Sequence, residues 1–196
     1  MKRTTTRRKR EIKHFITDNR RLFPFVGLFA TGAVAGVAIY IAAHGSIPAD
    51  LLSPAPVDGG WWQALGTSCF STVLLLAALF LFGLWGCGAP FILAVPLFHG
   101  LGLGLTEAFY YSRGWSGVAV AAAVMPVGLL TAIILTAAGA QSLRMSVGLC
   151  RHLLGDESED PRRDFRLYCL RFLLFLAAAL VVSLIDILIR GGLSAP

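Results

Sequence analysis

Leu22–Ala43 is an apolar run long enough to cross a bilayer, and it directly follows a basic tail. In that tail Lys2, Arg3, Arg7, Arg8, Lys9, Arg10, Lys13, Arg20 and Arg21 face only Glu11 and Asp18. A membrane-spanning helix needs about 20 mostly apolar residues, and cytoplasmic flanks are rich in Lys and Arg. The junction predicts a cytoplasmic tail over 1–21 and then a transmembrane helix. A cleaved signal peptide would have an apolar core of about 7–15 residues and a small-x-small cleavage site. Leu22–Ala43 is longer, and Ile41-Ala42-Ala43 has a bulky residue where the first small one belongs. An uncleaved first span is expected.

Further apolar blocks of the same length follow. Hydrophobic residues make up 56% of the chain and charged residues 14%, against about 25% charged in a soluble domain. Mean hydropathy is +0.72. The net charge of +6 comes mostly from the tail. Basic runs can bind nucleic acid, but beside an apolar span they set topology and touch anionic lipid headgroups. Membrane lipids, and no nucleic acid, are the expected partners.

The fold class expected is all-α, a polytopic transmembrane helical bundle with a cytoplasmic N-terminus. Five spans are read, at about 22–43, 64–85, 91–111, 117–143 and 167–189, within a membrane domain over 22–190. His44–Trp62 contains no Lys or Arg and reads as an exterior loop closed by Trp61 and Trp62. Gly86-Cys87-Gly88-Ala89-Pro90 breaks the helix between the second and third runs. It carries no positive charge, so two readings stay open: two full spans meeting at a cytoplasmic turn, or a re-entrant pair buried in protein. Arg144, Arg151, Arg162, Arg163, Arg166 and Arg171 mark a cytoplasmic segment before the fifth run. Residues 191–196 become a short exterior tail.

Ionisable residues at membrane depth are costly and point to function. His99 and Glu107 lie in the third run, and His99, Leu103, Thr106 and Tyr110 share a helical stripe at about 100° per residue. His99, Thr106 and Glu107 make a candidate intramembrane polar site, in which His99 and Glu107 could relay protons. A neutral His bonded to a neighbouring helix explains His99 equally well. Asp186, near the end of the fifth run, reads as interfacial. Gly32-x-x-x-Gly36 and Gly100-x-x-x-Gly104 present small faces that let helix backbones approach, within one chain or between copies in a homo-oligomer. Pro96 and Pro126 predict kinks. The four cysteines form no disulfide framework. Cys150, His152 and Cys169 lack the spacing of a zinc motif. No catalytic residues, metal site or cofactor are expected: no nucleophile–base pair, Walker loop or dinucleotide fingerprint occurs.

The central block resembles the stage II sporulation protein M family of integral membrane proteins. The resemblance runs through Leu84-Trp85-Gly86-Cys87-Gly88-Ala89-Pro90-Phe91, Phe98-His99-Gly100, Gly104-Leu105-Thr106, Gly114-Trp115 with Gly117, and the fourth span around Pro126. It covers the middle third of the chain, and elsewhere rests on layout. It implies a multi-pass protein of the cell membrane at the septal or engulfing membrane of a sporulating cell. The implied role is a scaffold that anchors peptidoglycan-degrading partners, the sporulation proteins D and P, during septal wall thinning and forespore engulfment. Such a scaffold is not itself a hydrolase. Two departures bear on the polar site: in the family the residue at the His99 position varies, and the Glu107 position is often apolar. The alternative from another class is a small oligomeric transporter or permease with a polar path near His99 and Glu107.

Overall fold

The computed structural model describes residues 22–43, 61–118, 124–153 and 161–193. The basic tail, most of the expected exterior loop and the segment 154–160 lie outside them. The described residues form five helices and no strand: α1 (Phe23–Ala42), α2 (Trp61–Gly83), α3 (Ala89–Ser112), α4 (Met125–Leu153) and α5 (Pro161–Leu193). Four stretches are long and apolar enough to cross a membrane: Phe23–Ala42, Ala89–Ser112, Met125–Cys150 and Phe165–Ile189. Helix α2 has 23 residues, and Cys69–Gly83 is its apolar portion.

Helix α4 overruns the C-terminal bound, and α5 the N-terminal bound, of the apolar run read from sequence. Helix α1 stays within its run, α2 stops at Gly83 and α4 begins at Met125. Helix α4 continues past Leu143 through Arg144 to Leu153, and α5 begins at Pro161, ahead of Leu167. Backbone hydrogen bonding and good helix formers such as Leu, Met and Arg carry a helix beyond the part that meets lipid. Pro126 sits in the first turn of α4, where a missing N–H breaks no helical bond. The kink expected there therefore has no helix interior to act on. Pro96 does lie inside α3, where it is buried.

Side-chain contacts give the directions of the helices. Gly32 faces Leu97 and Leu101, and Gly36 faces Leu101 and Leu105, so α1 and α3 run parallel. Gly83 lies against Ser142, and Trp85 against Ser146, so α2 and α4 also run parallel. Tyr168 meets Ser142 and Arg171 meets Gln141, so α5 runs antiparallel to α4. The Phe82 ring stacks on Phe91, so the end of α2 meets the start of α3 and the two helices run antiparallel. At 23 residues and 1.5 Å per residue α2 is about 35 Å long.

Phe25, Leu76, Leu79, Ile92, Val95, Leu135, Ala138, Tyr168 and Phe172 form the core, drawn from all five helices. It sits toward the end where α1 begins and α2 finishes. Large apolar side chains also point outward: Val34 is 71% exposed, Phe98 65% and Leu173 65%. Such surface is unfavourable against water. Against hydrocarbon it is the lipid-facing side of a bundle whose backbone groups are satisfied within its helices.

Candidate functional site

Two constructions hold the helices together. The first is a seam between α1 and α3. A Cβ added at Gly32 would collide with the Leu97 carbonyl oxygen and lie 3.0 Å from Leu101 N. One at Gly36 would collide with Leu101 O, one at Gly100 with Phe29 O, and one at Gly104 with Ala33 O. All four glycines are buried. The two small-residue motifs thus face each other within one chain, and the obstructing atoms are backbone. Contact this close brings Cα–H groups against carbonyl oxygens, worth about 0.5–1 kcal/mol each. At the far end of the seam Ser112 Oγ donates to Phe109 O at 2.7 Å. The Tyr40 hydroxyl can then donate to Ser112 Oγ, also at 2.7 Å.

The second construction is a polar knot between α2, α4 and α5. The Tyr168 hydroxyl donates to the Phe80 carbonyl at 3.0 Å and lies 3.4 Å from Leu79 O. Its ring stacks on Phe80 with centroids 5.1 Å apart. Ser142 Oγ donates back to Ala138 O at 3.0 Å and is 3.3 Å from the Tyr168 hydroxyl. Gly83 makes room for that hydroxyl, which occupies the place a Cβ would take. One turn further along α4, Ser146 Oγ donates to Trp85 O at 2.7 Å, which pins the turn between α2 and α3.

In that turn Gly88 N donates to Trp85 O at 2.8 Å and Ile92 N to Gly88 O at 3.0 Å. Gly88 has φ −72°, so it is needed for space and not for conformation. A Cβ there would collide with Phe82 O. Pro90 lies in the first turn of α3, which tolerates proline. Gly86 is half-buried and Cys87 is exposed.

The polar residues of the third span do not converge. The His99 ring packs against Phe29 of α1, centroids 5.9 Å apart. Its Nε2 lies 3.4 Å from the carbonyl oxygen of Gly128 on α4. A carbonyl only accepts, so this contact requires the Nε2–H tautomer. Thr106 Oγ1 donates to Gly102 O of its own helix at 2.9 Å. Glu107 is half-buried, and eight residues of helix separate it from His99, about 12 Å along the axis. Asp186, expected at an interface, is 3% exposed. No buried side-chain nitrogen or oxygen among the described residues lacks a hydrogen-bond partner. Cys150 and Cys169 are half-buried free thiols; the side chain of His152 lies outside the described residues.

Sequence reasoning passed over Tyr168, Ser142, Ser146 and Gly83. The one available signal was Ser142 and Ser146 at i, i+4 spacing in an otherwise apolar helix.

The family model for stage II sporulation protein M matches residues 25–185. The chain belongs to the stage II sporulation protein M family. Membership makes it a sporulation-related membrane protein, in keeping with its apolar helices. The matched stretch contains the four seam glycines, the Gly86–Pro90 turn and the Tyr168 knot. No curated protein and no solved structure matches the chain.

Proposed function

We propose that this chain is a five-span anchor in the septal and engulfing membrane, with its N-terminus in the cytoplasm. It recruits the wall-degrading sporulation proteins D and P for septal thinning and engulfment, and it cuts no wall itself. The observation that carries this reading is the family match over residues 25–185. Three features of the chain agree with it. The parallel course of α1 and α3 suits a full-depth return by α2. The Lys/Arg-rich tail suits a cytoplasmic start. His99, Ser146 and Tyr168 each bond a carbonyl of another segment of the bundle, as a rigid platform requires.

The test is made in a complemented null strain of a spore former. An affinity-tagged chain should co-purify proteins D and P from sporulating cells, and septal thinning and engulfment should proceed by membrane-dye microscopy. Deleting Leu51–Asp58 from the expected exterior loop should block both. His99→Gln and Glu107→Gln should leave both intact, because Gln keeps hydrogen bonding and bulk while removing proton chemistry. Loss of engulfment from His99→Gln in a normally abundant, normally inserted protein would refute the anchor and favour a transporter. Topology is read separately: a cysteine placed at Ser53 should label from outside intact cells, and one at Ser158 should not.

A further inference from the structure

Arg113 is the single Lys or Arg between Leu22 and Leu143, and the end of α3 is built around it. The backbone first turns sharply. Arg113 N donates to Phe109 O at 3.2 Å, Gly114 N to Tyr111 O at 3.1 Å and Trp115 N to Tyr110 O at 3.2 Å. Gly114 has φ +82°, the left-handed conformation that closes a helix with this pair of bonds and favours glycine. The turn brings the Trp115 ring to 4.8 Å from that of Tyr110. The guanidinium carbon of Arg113 stands 5.2 Å from the centroid of the Phe109 ring. Phe109 is itself buried and held edge-on by Tyr40 of α1, centroids 6.5 Å apart. A cation is thus seated on a ring that two helices fix.

This arrangement leaves N–H donors of the guanidinium for a ligand. Among the described residues Arg113 makes no ion pair, and its guanidinium carbon meets the Phe109 ring. Glu107 does not compete for it: six residues back, it lies about 120° away around the helix. The cation also complements the partial negative charge at a helix C-terminus, so the site is electrically stable when empty. Its depth points to the ligand. Helix α3 has 24 residues, about 36 Å, against a hydrocarbon core of about 30 Å. Tyr110, Tyr111 and Trp115 at its end are the residue types that settle at headgroup level. The group found there is a phosphodiester, and a planar guanidinium edge binds phosphate oxygens through two parallel N–H bonds.

We propose that the Arg113-Gly114-Trp115 turn is a binding site for the phosphodiester of an anionic membrane phospholipid, gripped by Arg113 beside the Phe109, Tyr110 and Trp115 rings. The site rests on the chain spanning a membrane and not on its recruiting hydrolases. Its failure and that of the anchor reading are therefore read in different experiments.

The full chain, purified in a neutral detergent with added phosphatidylglycerol, is analysed by native mass spectrometry. The wild type should retain one more phosphatidylglycerol than Arg113→Gln. Arg113→Lys, with the charge but not the fork, should retain it at reduced occupancy, and Trp115→Phe near the wild-type level. The basic tail is present in every variant, so its lipid contacts cancel. Melting temperatures supply a second measurement: phosphatidylglycerol should raise that of the wild type more than that of Arg113→Gln, with inorganic phosphate giving no such difference. If Arg113→Gln melts early even without lipid, Arg113→Lys carries the comparison. Equal retention in wild type, Arg113→Gln and Arg113→Lys would overturn the site. Equal protection by inorganic phosphate would make it a free-anion site. Retention of a disaccharide-peptide wall fragment in place of lipid, lost in Trp115→Ala, would make it a glycan platform. Each of these outcomes refutes the proposal.

Discussion

A methyl group added at Gly32 tests the α1–α3 seam. The new Cβ would overlap the Leu97 carbonyl oxygen and sit 3.0 Å from both Leu97 C and Leu101 N, where ordinary contact begins at 3.4 Å. The obstructing atoms are helical backbone, which cannot rotate aside as a side chain could, so the two helices must part. Overpacking of this kind costs about 1–3 kcal/mol, and parting also forfeits Cα–H···O contacts along the seam. Gly32→Ala should therefore destabilise by about 3 kcal/mol, roughly a hundredfold in the folding equilibrium. Gly27 of α1 and Gly102 of α3 supply the control, since nothing lies within 4 Å of a Cβ at either. There the same substitution should be neutral or stabilising by up to about 1 kcal/mol, because Ala is the better helix former. Gly100 faces the same crossing from α3, against Phe29 and Ala33. Once one methyl has separated the helices, the second meets less resistance, so Gly32→Ala with Gly100→Ala should cost less than the sum. Reversible unfolding in mixed micelles, titrated with a denaturing detergent, gives each free energy. If Gly32→Ala costs no more than Gly27→Ala, the close approach of α1 and α3 is refuted.

Three further outcomes are expected. Tyr168→Phe keeps the ring stack on Phe80 but loses the hydroxyl bonds to Phe80 O and Ser142. It should cost about 1 kcal/mol by the same titration. Gly83→Ala drives a methyl into the Tyr168 hydroxyl, so its cost should fall in the Tyr168→Phe background; an unchanged cost would show that the remaining contact with Ser142 Cα decides. Ser146→Ala removes the 2.7 Å bond to Trp85 O and should speed hydrogen exchange over Leu84–Gly88 relative to the rest of the bundle.

The legible part of the candidate site was its residue types. Gly32, Gly36, Gly100 and Gly104 stand out because small residues at four-residue spacing make a flat helical face. Sequence leaves open what that face meets: lipid, a second copy or another helix of the same chain. His99 shows the same limit from the other side. A histidine at membrane depth reads as a bonded residue or a relay, and the choice depends on Phe29 and Gly128, far from it in sequence. Tyr168 was invisible as a knot because its partners, the carbonyls of Leu79 and Phe80, are present in every residue and carry no signature.

Sequence alone determined that this is an all-helical membrane chain. Lipid offers no hydrogen bonds, so a long apolar run has little choice but to satisfy its backbone internally. The period, length and charge of each block are local properties and can be read one block at a time. Tertiary structure decided which blocks touch. Apolar side chains gain nothing by leaving lipid for one another, so apolar character cannot select partners. Selection falls to shape and to a few polar atoms: four glycines that admit a backbone, a hydroxyl that fits over Gly83, a serine that reaches Trp85 O. Those complementarities lie between residues distant in the chain, and they exist only once the helices have come together.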